Sequence, residues 1–194
     1  MKSQATAGRD ANNLNAPKRR VLIVDDHPLM RQGLAQLVNQ QPDLTVCGEA
    51  EDVPEALQKT SDLKPDVVIV DLSLKGSDGI ELIRNLRSRS AQLPVLVLSM
   101  HDEALYAERA LKAGAWGYIM KQEATGQVLS GLRRVLSGEI HVSHRVSSKI
   151  VQGMVGGPGA SERSPIERLS DREFGVFRKI GGGATTKEIA AELC

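Results

Sequence analysis

The chain is nearly free of cysteine. Its two, Cys47 inside an apolar run and Cys194, stand at no spacing that makes a disulfide framework or a thiolate metal site. That excludes a disulfide-stapled secreted module and fits a reducing, cytoplasmic setting. A long hydrophobic run is missing too. Residues 1–17 are rich in Asn, Ala and Ser/Thr with no apolar centre, so they make neither a signal peptide nor a membrane span and read as a disordered leader. Excess charge is small: 25 Lys and Arg against 24 Asp and Glu, with only a weak basic bias toward residues 141–194. Composition alone therefore gives no case for nucleic-acid binding. Glycines occur without a phosphate loop, because no buried strand leads into Gly153–Gly159 or Gly181–Gly183 and no Gly-Lys-Ser/Thr follows either. His27, His101 and His144 are far apart and pair with no cysteine, which argues against a histidine metal site.

What is present is a hydrophobic fraction of 41%, enough for a core, and a regular alternation of elements. Arg20–Val24 is a buried strand ending at Asp25-Asp26, followed by Leu29, Leu34, Leu37 and Val38 at helical spacing. Leu44–Val46 makes a second strand and Val53–Thr60 a helix. Val67–Val70, a run of β-branched residues, ends at Asp71, and a helix starts near Asp78-Gly79. Val95–Leu98 is a fourth strand ending at Ser99, and the segment Glu103–Ala113 is a helix closed by Gly114. Trp116–Met120 is a fifth strand ending at Lys121, and a last helix runs from Ala124 to Ser137. Strands alternating with helices imply parallel βαβ units with right-handed crossovers, hence a three-layer α/β sandwich.

In such a sheet Asp25, Asp26, Asp71, Ser99 and Lys121 leave the core along one edge, where open α/β sheets place their ligands. Asp71 alone reads as a turn residue or helix cap. The set reads differently. At about 5 Å and an effective dielectric near 20 each pair of carboxylates repels by roughly 3 kcal/mol, so the cluster calls for cations. Lys121 supplies one. A hard divalent ion such as Mg²⁺ suits the rest, and the combination suits phosphoryl transfer with an Asp as nucleophile. Two rival classes fit less well. Aspartate-nucleophile phosphatases need a second acid where Ser73 stands, and a dinucleotide-binding module needs a glycine-rich first turn where the sequence has Asp25-Asp26-His27-Pro28.

The ordered set resembles the receiver domain of two-component response regulators over residues 20–138, and Leu98–Glu103 together with Gly114–Lys121 is similar to the LuxR/NarL class. The resemblance implies a flavodoxin-like fold with strand order 2-1-3-4-5. It implies Asp71 as phosphoacceptor, Asp25, Asp26, Asp71 and the Ser73 backbone carbonyl around Mg²⁺, Ser99 and Lys121 on the phosphoryl oxygens, and Tyr118 as the switch aromatic. The expected donor is a sensor histidine kinase. The chain would accept a phosphoryl group rather than act as an enzyme, and a homodimer would form through helix four, strand five and helix five. Two departures, Leu74-Lys75 in place of Met-Pro and Gln122 in place of Pro, touch no site residue.

Beyond Gly138 the composition shifts to Ser, Gly, Pro and mixed charge. This reads as a linker over 139–168, with a short helix near 145–152. Residues 169–194 carry two capping boxes, Ser170 with Glu173 and Thr185 with Glu188, ahead of Phe174, Phe177, Ile180 and Ile189. They resemble the first two helices of a LuxR-type helix-turn-helix, so the output is expected to be promoter DNA binding. The recognition helix would follow Cys194, which makes this chain an expected phosphoacceptor without sequence-specific DNA binding. The alternative is a stand-alone phosphoacceptor or phosphate-relay receiver acting through protein contacts. Trp116 and Tyr118, two residues apart, are expected on one face of their strand.

Overall fold

The computed structural model describes residues 17–74, 77–155 and 165–193. Most of the expected leader, and the glycine-rich centre of the expected linker from residue 156 to 164, lie outside the described residues. Five strands form one parallel sheet: β1 (Arg19–Val24), β2 (Leu44–Ala50), β3 (Val67–Asp71), β4 (Val95–Ser99) and β5 (Gly117–Met120), in the order 2-1-3-4-5. This is the expected flavodoxin-like arrangement. Strand β2 is longer than its apolar pattern suggests. Its register to β1 slips between Val21 and Leu22, where Cys47 bulges out and turns its Sγ to the Val21 carbonyl at 3.4 Å.

Because side chains alternate along each strand, the sheet presents two apolar faces. Val21, Ile23, Val67, Ile69, Leu96, Leu98 and Ile119 meet α1 (Pro28–Asn39) and α5 (Ala124–Leu136). Leu22, Val24, Val68, Val70, Val95, Val97 and Tyr118 meet α2 (Val53–Leu63), α3 (Gly79–Arg89) and α4 (Glu103–Ala113). The middle residues of β1, β3 and β4 are fully buried, which accounts for their continuous Val/Ile/Leu composition, whereas the middle of the edge strand β2 is only partly buried. Side-chain caps fix three helix starts: Asp52 accepts from the Glu55 amide, Asp78 from Ile80 and Asp102 from Ala104. At its C-cap Gly114 takes φ +118°, and a Cβ there would meet the Arg87 side chain.

The expected pairing of Trp116 with Tyr118 on one face is not what forms. Trp116 precedes the first residue of β5 and packs on the α1/α5 side, whereas Tyr118 is buried on the α4 side. Alternation holds only within the paired strand, and Trp116 lies outside it.

Of the stretch expected as linker, His144–Val155 is helix α6, longer at both ends than expected. It lies on α4: Val146 is buried in the receiver core, and Ser143 Oγ donates to Glu103 Oε1 at 2.8 Å. A short helix, α7 (Pro165–Arg168), then leads into α8 (Asp171–Gly181) and α9 (Thr186–Leu193). Both capping boxes form. Ser170 Oγ receives the Glu173 amide at 3.3 Å while Glu173 receives the Ser170 amide at 2.8 Å, and Thr185 and Glu188 repeat the pattern at 3.3 and 2.7 Å. No helix among the described residues is long and apolar enough to cross a membrane.

Candidate functional site

The strand registers line up the site. Val24 pairs with Val70, Asp71 with Leu98 and Ser99 with Met120, so Asp25, Asp71, Ser99 and Lys121 follow one another across the C-terminal edge of the sheet. Asp25, Asp71 and Ser99 are buried. Lys121 Nζ lies 2.7 Å from Asp25 Oδ2 and 2.6 Å from Asp71 Oδ2, with its side chain almost wholly enclosed. Burial works against its charge, but the hydrogen bonds to Asp25 and Asp71 outweigh that cost and hold the ammonium above its ordinary pKa. The second oxygen of each carboxylate is fixed from the backbone. Asp25 Oδ1 receives the His27 amide at 2.9 Å, and Asp71 Oδ1 receives the Ser73 amide at 3.1 Å.

Beneath the end of β3 the chain passes very close. Gly79 N donates to the Leu72 carbonyl at 3.2 Å, and a Cβ on Gly79 would stand 2.5 Å from the Asp71 carbonyl oxygen and 2.6 Å from Leu72 Cα. Only glycine allows that approach. Ser73–Leu74 and Ser77–Asp78 form a two-residue antiparallel ladder that joins the end of β3 to the start of α3. Lys75, one of the two departures noted above, lies outside the described residues. After Lys121 the chain makes a 3₁₀ turn, Lys121–Glu123, which carries Gln122.

The donor set suits a hard divalent cation. Atoms of Asp25, Asp26, His27 and Asp71 lie within 4.8 Å of one another, and Asp26 Oδ1 is shut from solvent with no hydrogen-bond partner, although His27 Nδ1 stands 2.7 Å from it. A buried carboxylate oxygen without a donor is costly unless an ion completes it. His27, set aside on sequence grounds, thus belongs to the cluster. Its ring is largely exposed and Mg²⁺ prefers oxygen, so it stands beside the cluster as a partner of Asp25, whose Oδ1 lies 3.2 Å from its Nδ1.

Tyr118 points inward. Its hydroxyl donates to the His101 carbonyl at 2.8 Å, and burial pushes the phenol pKa up. His101 ties the neighbouring residues together. Its amide donates to Ser99 Oγ at 3.1 Å, its Nε2 lies 2.9 Å from Ser73 Oγ, and its ring stacks on Tyr106 with centroids 4.4 Å apart. Burial, and then the Arg178 guanidinium, push its pKa down. Residues from α8 complete this group, and sequence inspection had picked out none of their contacts. Arg178 Nη1 reaches His101 Nε2 at 2.9 Å and Tyr106 Oη at 3.1 Å, and the buried Phe174 ring meets Tyr106 edge-on at 5.1 Å. Arg109 lies over Phe174 at 4.2 Å and donates to the carbonyls of Leu169 and Ile166 at 3.0 and 2.8 Å.

Residues 21–133 match the family described as the response regulator receiver domain. A nitrate/nitrite response regulator protein homolog of Haemophilus influenzae is 32% identical over 91% of this chain and 82% of its own length. The crystal structure of a LuxR-family two-component response regulator from Aurantimonas sp. superposes with a TM-score of 0.66 at 32% identity, covering 72% of this chain and 99% of that one. RcsB from Salmonella enterica serovar Typhimurium, bound to promoter rprA in the presence of phosphomimetic BeF3-, superposes with a TM-score of 0.67 at 27% identity over 91% of this chain and 84% of its own. The chain belongs to the response regulators of two-component systems, in the NarL/LuxR class of transcription regulators.

Proposed function

We propose that this response regulator takes a phosphoryl group onto Asp71 from the phosphohistidine of a sensor kinase and passes its state to a promoter-binding output. The observation that carries this reading is the Asp71 carboxylate at a strand end, 2.6 Å from the enclosed Lys121 ammonium and next to Asp25, Asp26 and Ser99. An oxygen of Asp71 attacks phosphorus while the P–N bond to the donor imidazole breaks, and a proton returns to that imidazole. Lys121, released in part from Asp71 by the reaction, balances the incoming charge, and the Ser99 hydroxyl turns to a phosphoryl oxygen. Asp25, Asp26, Asp71 and the Ser73 carbonyl would hold Mg²⁺. Bound there, the ion neutralises phosphoryl oxygens that three carboxylates otherwise repel. The protein acts as an acceptor that stores the group, not as an enzyme turning over substrate.

The domain assignment follows the same reading: a receiver through Gly138, a connecting segment to 168, then the beginning of a helix-turn-helix. Helices α8 and α9 provide the scaffold of such a domain, whose base contacts come from the next helix of the motif. A homodimer through α4, β5 and α5 would have to accommodate the segment leading into α6, because His141 pairs with Gly117 of β5 and Ser143 bonds to Glu103 of α4. The assignment is tested by labelling with acetyl phosphate, with and without Mg²⁺, comparing wild type with Asp71→Asn. Label should appear only in wild type and only with the metal. Labelling of Asp71→Asn at the wild-type level would refute the acceptor assignment.

A further inference from the structure

We propose that Arg178, on the output helix α8, is a positioning residue for phosphoryl transfer to Asp71: it clamps His101 against the acceptor pocket and thereby slows phosphoryl entry. The proposal rests on the reading of Asp71 as acceptor. Its starting point is that Asp71 is closed to solvent, so a donor reaches it only after part of the pocket wall moves. Lys121 is held from both sides by Asp25 and Asp71. The loop after β4 follows Ser99 at the pocket, and His101 is the residue that ties it to its surroundings.

His101 is bonded to three residues around the pocket. Its amide is bonded to Ser99 Oγ, its carbonyl to Tyr118 Oη and its ring to Ser73 Oγ, in the loop that leaves the acceptor. Arg178 adds the only contact from outside the receiver that is described for this ring, at 2.9 Å on Nε2. A guanidinium has donors and no acceptor, so Nε2 accepts, the imidazole is neutral and its proton sits on Nδ1. Nε2 then offers one lone pair to two donors, the Arg178 N–H and the Ser73 hydroxyl. The ring is pinned between the output helix and the acceptor loop, with Tyr106 stacked behind it and also bonded to Arg178 at 3.1 Å.

Arg178 itself is not a loose surface side chain at the end of a free helix. Its helix starts in a complete capping box at Ser170, buries Phe174 against Tyr106 and is held one turn upstream by Arg109 on the carbonyls of Ile166 and Leu169. Removing Arg178 leaves these anchors in place and frees His101 together with the Tyr106 hydroxyl, while the Phe174 and Arg109 contacts still dock the helix. By linkage the coupling runs both ways: whatever opens the pocket also weakens the hold on α8.

The test measures the initial rate of labelling of the full chain by acetyl phosphate with Mg²⁺, a donor too small to need a kinase interface. Arg178→Ala should label about three- to tenfold faster than wild type, the effect of losing one solvent-accessible charged hydrogen bond. Arg178→Lys, which keeps a donor and the charge, should return the rate toward wild type. His101→Ala should accelerate labelling as Arg178→Ala does, and the double variant should be no faster than either single one. Unchanged labelling in Arg178→Ala, or single-variant effects that multiply in the double variant, would overturn the clamp. Asp71→Asn is the blank: if it blocks labelling while Arg178→Ala leaves the rate unchanged, the clamp alone fails, and if it labels like wild type the acceptor assignment fails as well.

Discussion

The Asp71 edge of the sheet and the docked helix α8 lie side by side and are held by different means. At the sheet edge the site residues extend from strands whose middles are completely buried, and Asp71, Asp25 and Ser99 are buried with them. Each Val, Ile or Leu so buried contributes about 1.5–3 kcal/mol, and thirteen of them on β1, β3, β4 and β5 act together. In the segment from 165 to 193, Phe174 and Ile189 are the only buried side chains among those described, while Phe177 and Ile180 are about half exposed or more. One aromatic ring, one cation–π contact and a few hydrogen bonds hold α8 to the receiver. Phosphoryl chemistry needs groups that stay within fractions of an ångström, whereas an output must be able to let go. On the proposed function, the first task falls to the core and the second to a contact weak enough to be reversed.

The strongest way to break this comparison is in the core. Leu96 is fully buried on β4, between β3 and β5. Leu96→Ala should cost about 2–5 kcal/mol in urea-induced unfolding. A cost below about 1 kcal/mol would mean that the sheet is not the rigid partner. A smaller change strikes directly under the acceptor. Gly79→Ala places a methyl group 2.5 Å from the Asp71 carbonyl, and since the neighbours are backbone, the acceptor strand itself must shift. The expected loss is about 1–3 kcal/mol, as for overpacking. Acetyl phosphate labelling of the folded variant should fall several-fold as well. Normal labelling alongside lowered stability would show that the pocket tolerates displacement of its floor.

The same contrast explains what the sequence disclosed. Strands β1, β3 and β4 carry unbroken apolar runs buried on both faces, and the polar residues at their ends, Asp25, Asp71 and Ser99, are legible in the sequence together with Lys121. Helix α4 starts and stops where Asp102 and Gly114 indicate, because caps are local chemistry. Strand β2 was legible only in its first half, since the Cys47 bulge interrupts the alternation and the later residues, Gly48 and Glu49, pair by backbone alone. Trp116 was misplaced for a related reason: the periodicity was extended one residue beyond the ladder. The Arg178–His101 and Arg109–Leu169 bonds span 77 and 60 residues and leave no periodic trace. His27 was hidden because ligand-spacing rules look along the chain, and its neighbour Asp71 arrives from another strand.

The smallest expected effect sharpens the comparison most. Phe174 is the one side chain of α8 buried in the receiver's apolar cluster, edge-on to Tyr106 and under Arg109. Truncation in a protein core normally destabilises everything that packs with it, yet here the ring sits at the boundary between a cooperative sheet and a helix that adds little to it. Local opening need not follow global unfolding. Phe174→Ala should therefore lower hydrogen-exchange protection of the α8 amides more than tenfold, or 1.4 kcal/mol. The amides of β1, β3 and β4 should keep their protection, and the unfolding midpoint of the receiver should hardly move. If those strand amides lose protection in step with α8, the two regions open as one unit, and α8 is a structural part of the receiver fold and not a reversible contact upon it.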